Sequence, residues 1–73
     1  MTKSEVKTGR YYATTISGKM TIVKIEAKSP HGGWTGRNIF TNRQVRIKSE
    51  VGLLGDVTAR GKRIERDMKE LGI

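Results

Sequence analysis

The chain has no cysteine, one proline, four aromatic residues and no long apolar run. These features limit the classes of protein to which it can belong. Without cysteine, disulfides cannot hold the chain together and thiolate metal sites are excluded. No apolar run approaches the ~18 residues of a membrane span, and the opening stretch MTKSE lacks the apolar core of a signal peptide. We therefore expect a cytoplasmic protein that does not associate with membranes.

Acidic residues are also scarce relative to basic ones. The 73 residues include seven Asp and Glu against fifteen Lys and Arg, which gives a net charge of +8. A chain this short forms one domain with a small core, and its charge favours a polyanionic partner, most often nucleic acid. The composition is also compatible with a small basic protein that is merely soluble, so the distribution of charge must decide.

Hairpin patterns fill most of the chain. The predicted strands are 10–17, 20–28, 34–40 and 44–49, followed by a 3₁₀ turn and a short closing strand at 56–58. Turn residues separate them: Ser17-Gly18-Lys19 is predicted to form a tight turn in which the glycine supplies positive φ, and Asn42 tolerates a left-handed conformation. In the last segment, Ile64, Met68 and Leu71 share one helical face. We predict a flexible tail over residues 1–8, a β-barrel over 9–58, and a C-terminal helix or partly disordered tail over 59–73.

This order of elements resembles that of an SH3-like barrel. It comprises a long hairpin, a glycine-rich loop, a second hairpin, a short helical turn and a closing strand. The resemblance implies a mainly β fold, a small antiparallel barrel of about five strands. Tudor-like, KOW-like and chromatin-type modules share that architecture, and some of them bind nucleic acid on an outer sheet face. The pattern GGW, Asn38, Thr41, Arg43, Val45 and IKS also resembles short uncharacterised proteins of bacteria and their phages, which implies no activity.

Residues 29–49 contain four basic side chains and no acid. If Val45 and Ile47 face the core, the alternating cations of the same strand face solvent. Such a positive sheet face binds phosphates by releasing counterions. The predicted phosphate contacts are Lys24, Arg37, Arg43, Arg46 and Lys48. The alternative is a solvated face whose cations serve solubility or protect a sheet edge.

The few aromatic residues have competing interpretations. Trp34 follows a glycine pair beside the cationic strand, where an exposed ring could stack on a base. The alternative, of equal weight, is that Trp34 is buried in the small core. We assign Phe40 to the core. Tyr11 and Tyr12 alternate along the first strand, so one is expected to be buried and the other exposed.

No catalytic set is visible in the sequence. His31 is the only histidine and has no ligand or general-base partner at a suitable spacing, so we expect no enzyme activity, metal, cofactor or small-molecule substrate. We predict a binding protein for DNA or RNA that recognises the phosphate backbone with little sequence specificity. The alternative is a protein-interaction module, such as a small inhibitor or adaptor, that docks its basic face on an acidic protein surface. An exposed Trp34 favours the first, and a buried Trp34 with exposed apolar residues elsewhere favours the second.

Overall fold

Five antiparallel strands and one C-terminal helix make up the fold, as seen in a computed structural model that describes residues 6–72. The elements are β1 (Tyr11–Ile16), β2 (Lys19–Lys28), β3 (Trp34–Asn38), β4 (Gln44–Ile47), β5 (Leu53–Asp56) and α1 (Thr58–Glu70). The strands lie in one sheet in the order β4-β3-β2-β1-β5. The predicted mainly β class, with five strands and a C-terminal helix, is therefore confirmed.

The sheet is open, so the prediction of a closed barrel was wrong. Within residues 6–72, β4 pairs only with β3, and β5 pairs only with β1. Both edge strands have four residues, and the β1–β5 pairing ends at Thr14. A groove of about 210 Å³ therefore lies between β4 and residues 14–16 of β1.

The two hairpin turns follow the sequence prediction. Ser17 and Gly18 both have positive φ, 51° and 78°, as a tight two-residue hairpin turn requires. Asn42 has φ of 60° in the β3–β4 turn. The Asn38 side chain also holds this turn, because its Oδ1 accepts hydrogen bonds from the backbone N–H of Phe40 and of Thr41. The turn residues therefore fix the strand register locally.

One face of the sheet carries the main core. Its buried members are Val6, Tyr12, Val23, Ile25, Trp34, Ile47 and Leu53. Val45 is half-buried against them, so Val45 and Ile47 point inward as the alternation predicts. Gly36 lies in the middle of this face, where a Cβ would approach the Lys24 carbonyl oxygen to 2.8 Å. Val6 belongs to this core although it falls in the predicted tail, and residues 1–5 of that tail lie outside the described residues.

The opposite face is partly covered by α1. Tyr11, Ile22 and Ile39 form a second buried cluster there, with Ile64 of the helix packed against it. Tyr11 is buried because the helix covers this face, and Tyr12 is buried in the main core on the other face. The prediction that one of the two tyrosines is exposed was therefore wrong. The two tyrosines still occupy opposite faces of β1, each within its own cluster.

Three further predictions, all for residues after 39, were wrong. The closing strand lies at Leu53–Asp56 rather than 56–58, because α1 already begins at Thr58. Phe40 is 50% exposed rather than in the core, since the neighbouring Ile39 takes the buried position. Leu71 is exposed, because the helix ends at Glu70 and Gly72 follows with φ of 74°.

Candidate nucleic-acid interface

Trp34 does not belong to any exposed site. It stands opposite Ile47 in the β3–β4 ladder and is 5% exposed within the main core. The glycine before it, Gly33, has φ of 71° and lies against the Ile47 carbonyl oxygen, with no space for a Cβ. Trp34 therefore lies on the face of the sheet that carries the main core. A buried ring cannot stack on a base, so the structure removes Trp34 from the predicted contacts.

Three of the predicted cations share the face that α1 partly covers. Lys24 stands directly opposite Arg37, and the row continues to Tyr11 on one side and Gln44 on the other. Arg46 is two residues along β4 from Gln44 and lies on the same face, opposite the face that buries Ile47. The sheet register therefore brings Lys24, Arg37 and Arg46 onto one surface, as predicted.

Directly opposed like charges on a sheet are unfavourable, and Lys24 and Arg37 each have a local partner. The Lys24 ammonium lies 5.7 Å from the centre of the Tyr11 ring, a cation–π arrangement. The Arg37 Nε donates to Glu26 at 3.3 Å, and its Nη1 donates to the Asn42 carbonyl oxygen at 2.8 Å. These contacts hold the two cations in defined positions beside each other.

Arg43 and Lys48 flank β4 and are both exposed. The Arg43 carbonyl oxygen accepts a hydrogen bond from the Asn38 N–H and so closes the second hairpin. Lys48 lines the groove at the free edge of β4 together with Arg46. The sequence thus identified a row of cations, and the structure distributes them between the sheet face and this edge.

A second set of cations comes from the helix and was not included in the predicted site. Between α1 and residues 39–42 lies a cleft of about 900 Å³, which Tyr11 also lines. On the helix side it is lined by Lys62, Arg66 and Lys69. These residues stand at positions i, i+4 and i+7, so helical periodicity could have grouped them from the sequence alone. The sequence could not show which surface α1 packs against.

The helix cations lie next to the sheet cations. Lys24 contacts Tyr11, which lines the cleft, and Arg37 is bonded to Asn42, which lines it too. Among the described residues, 6–72, ion pairs form only between Arg10 and Asp56 and between Arg37 and Glu26. The cleft cations Lys62, Arg66 and Lys69 are therefore available to an anion.

Among residues 6–72, Glu65 is the one acid that lines the cleft, and it has a structural partner. The Tyr11 hydroxyl donates a hydrogen bond to Glu65 Oε1. Burial, followed by the hydrogen bond to Glu65 and the charge of that carboxylate, raises the pKa of Tyr11 to about 12. Three cations against one engaged acid leave this cleft positive.

Over residues 6–72, no group of three or more His, Asp or Glu residues is placed to hold a metal ion. None of the helices found in that range has the length and apolar character needed to cross a membrane. Comparisons with protein-family models, curated proteins and solved structures gave no match.

Proposed function

We propose that this protein is a small, non-enzymatic module that binds the phosphate backbone of DNA or RNA with little sequence preference. Its strand order and the 3₁₀ turn at Glu50–Gly52, just before β5, suggest an open relative of the SH3-like fold. The binding surface consists of the cleft beside α1 and the adjoining sheet cations. The proposed binding does not require a helix that reads bases, because contacts to phosphates alone can supply the affinity for nucleic acid.

The observation that carries the proposal is the cleft beside α1, which is lined by Lys62, Arg66 and Lys69, none of them in an ion pair among residues 6–72. The sheet cations Lys24 and Arg37 lie beside this cleft. A phosphate in the cleft would neutralise the helix cations and release its own counterions. A polyanion is therefore the natural ligand of this surface.

The second candidate is an acidic protein surface. It is favoured by the burial of Trp34, the ring on which a base was expected to stack, and by exposed apolar side chains elsewhere. Such a partner would use the same cations. We rank it second because three cations of α1 line one cleft beside the sheet cations Lys24 and Arg37, and a nucleic-acid backbone carries a negative charge at every nucleotide.

The test compares two variants of equal charge. Lys62→Gln with Lys69→Gln removes two cleft cations, while Arg60→Gln with Arg63→Gln removes two helix cations that do not line the cleft. We expect the first pair to weaken binding to single- and double-stranded DNA and RNA and to flatten the slope of log affinity against log salt by ~0.7–0.9 per lost contact. The control pair should change both much less.

Fluorescence anisotropy at two salt concentrations measures both quantities, with polyglutamate as a polyanion that has no phosphates. Equal losses in the two variants would show that net charge, rather than this cleft, drives binding. Tighter binding to polyglutamate than to any nucleic acid would favour the acidic protein partner. No binding to nucleic acid at low salt would refute the proposed function.

A further inference from the structure

Phe40 is the one aromatic residue that the structure leaves exposed among residues 6–72. Its side chain is 50% exposed, whereas Tyr11, Tyr12 and Trp34 are each 5% exposed or less. It lines the α1 cleft opposite the helix that carries Lys62, Arg66 and Lys69. A flat apolar ring and three cations therefore face one opening.

The backbone around Phe40 is held firmly. Its N–H donates to Asn38 Oδ1 at 2.9 Å, and the same oxygen accepts from the Thr21 hydroxyl at 3.2 Å. The preceding Ile39 is buried, and its N–H donates to the Ile22 carbonyl oxygen at 3.1 Å. The exposure of Phe40 is thus a consequence of fixed backbone geometry, and binding would cost little additional ordering of this turn.

The combination of ring and cations selects a class of ligand. An aromatic ring stacks on any base and cations contact phosphates, which together recognise a nucleotide strand without reading its sequence. In a duplex the base faces are already stacked on each other, so only an unpaired base can offer its face to Phe40. Phe40 is half-exposed at the lining of the cleft, so its ring is accessible to such a base.

From this geometry we propose that the α1 cleft binds single-stranded nucleic acid, with an unpaired base stacked on Phe40 and the neighbouring phosphates held by Lys62, Arg66 and Lys69. The inference rests on the proposed function and specifies its ligand. Phe40 takes the role for which the sequence suggested Trp34. The sheet cations Lys24 and Arg37 extend the same path along the backbone of the strand.

The experiment uses three fluorescein-labelled DNA probes about 12 nucleotides long, a length within the range that small modules of this kind cover. One is single-stranded, one is the corresponding duplex, and one is a single strand of abasic sites that keeps the phosphates but has no bases. The variant is Phe40→Leu, which keeps an apolar side chain and removes the stacking ring. Leu54→Ala is the control, because Leu54 is exposed and does not line the cleft.

For the full-length protein we expect tighter binding to the single strand than to the duplex or the abasic strand. Phe40→Leu should weaken single-strand binding by about 5- to 150-fold, the range for loss of one stacked base. It should leave the salt slope and the affinity for the abasic strand unchanged. Leu54→Ala should match the unmodified protein on every probe, and circular dichroism verifies that each variant is folded.

The outcomes separate the two proposals. Equal affinity of the Phe40→Leu variant and the unmodified protein for the single strand would overturn the role of Phe40 while leaving phosphate binding intact. Equal binding of the abasic and the normal strand would overturn it as well. If none of the probes binds at low salt, both proposals fail, and Phe40 with its surrounding cations would be examined as an anchor for an acidic protein.

Discussion

At the scale of single residues, Gly61 sets how closely α1 approaches the sheet. It is buried in the first half of the helix, and a Cβ at this position would lie 2.5 Å from the Tyr11 Cδ2 atom. Glycine in a helix costs about 1 kcal/mol relative to alanine, so a structural reason is needed for its presence. That reason is the Tyr11 ring, which packs directly against the helix backbone.

We expect Gly61→Ala to destabilise the protein although alanine is the better helix former. Crowding a packed contact costs about 1–3 kcal/mol, which exceeds the gain in helix propensity of about 1 kcal/mol. Urea denaturation should therefore show a lower free energy of unfolding. Gly52→Ala is the matched control, because a Cβ there meets no atom within 4 Å. A Gly61→Ala variant that is more stable than the unmodified protein would contradict this packing.

At the scale of elements, Asp56 joins the end of β5 to the start of α1. Its carboxylate accepts hydrogen bonds from Arg10 Nε at 2.7 Å and from the Thr58 N–H at 2.9 Å. The hydroxyl of Thr58 in turn accepts a hydrogen bond from the Tyr11 N–H at 3.1 Å. One acid thereby fixes where the helix leaves the sheet, and hence where the cleft opens.

The same contacts make the junction sensitive to acid. The hydrogen bond from Arg10, followed by the one from Thr58, lowers the pKa of Asp56 from 3.8 to about 2. A carboxylate whose pKa is lowered by folding stabilises the folded state at pH values above its pKa in the unfolded chain. This stability is lost as the pH falls from about 4 to about 2. We expect Asp56→Asn to reduce the free energy of unfolding at pH 6 and to make its decline between pH 5 and pH 2 shallower. Parallel pH profiles for the variant and the unmodified protein would show that Asp56 contributes nothing to acid sensitivity.

At the scale of the whole molecule, the question is how far the binding surface extends from the cleft. Arg46 and Lys48 lie on and just beyond the edge strand β4, on the far side of β3 from Lys24. Adjacent strands are about 4.8 Å apart, so Arg46 is roughly 10 Å across the sheet from β2. A ligand must therefore be long enough to contact both the helix cations and this edge.

Arg46→Gln with Lys48→Gln should accordingly have an effect that depends on ligand length. We expect weaker binding and a flatter salt slope for a strand of about 12 nucleotides, and no change for a strand of about 4 nucleotides that fills only the cleft. Both side chains are exposed, so the free energy of unfolding should be unchanged. Isothermal titration with the two strand lengths measures this directly. An unchanged affinity for the longer strand would confine the interface to the cleft.

The local features of the protein follow from its amino-acid sequence. Alternation in QVRIKS placed Val45 and Ile47 inward, and Ser17-Gly18 and Asn42 fixed the hairpin turns, because these properties depend on neighbours along the chain. The excess of positive charge is likewise a property of composition. The C-terminal helix followed from the spacing of Ile64 and Met68.

Tertiary structure alone decided which of those features form a surface. Tyr11 is buried because α1 packs on the face opposite the main core, and Trp34 is buried because Gly33 lets its strand approach Ile47. Within residues 6–72 the edge strands β4 and β5 each pair with one neighbour and leave the sheet open, and no periodicity of the sequence records this. The cleft joins Phe40 to cations more than twenty residues away, and such a juxtaposition depends on long-range packing that local sequence patterns do not encode.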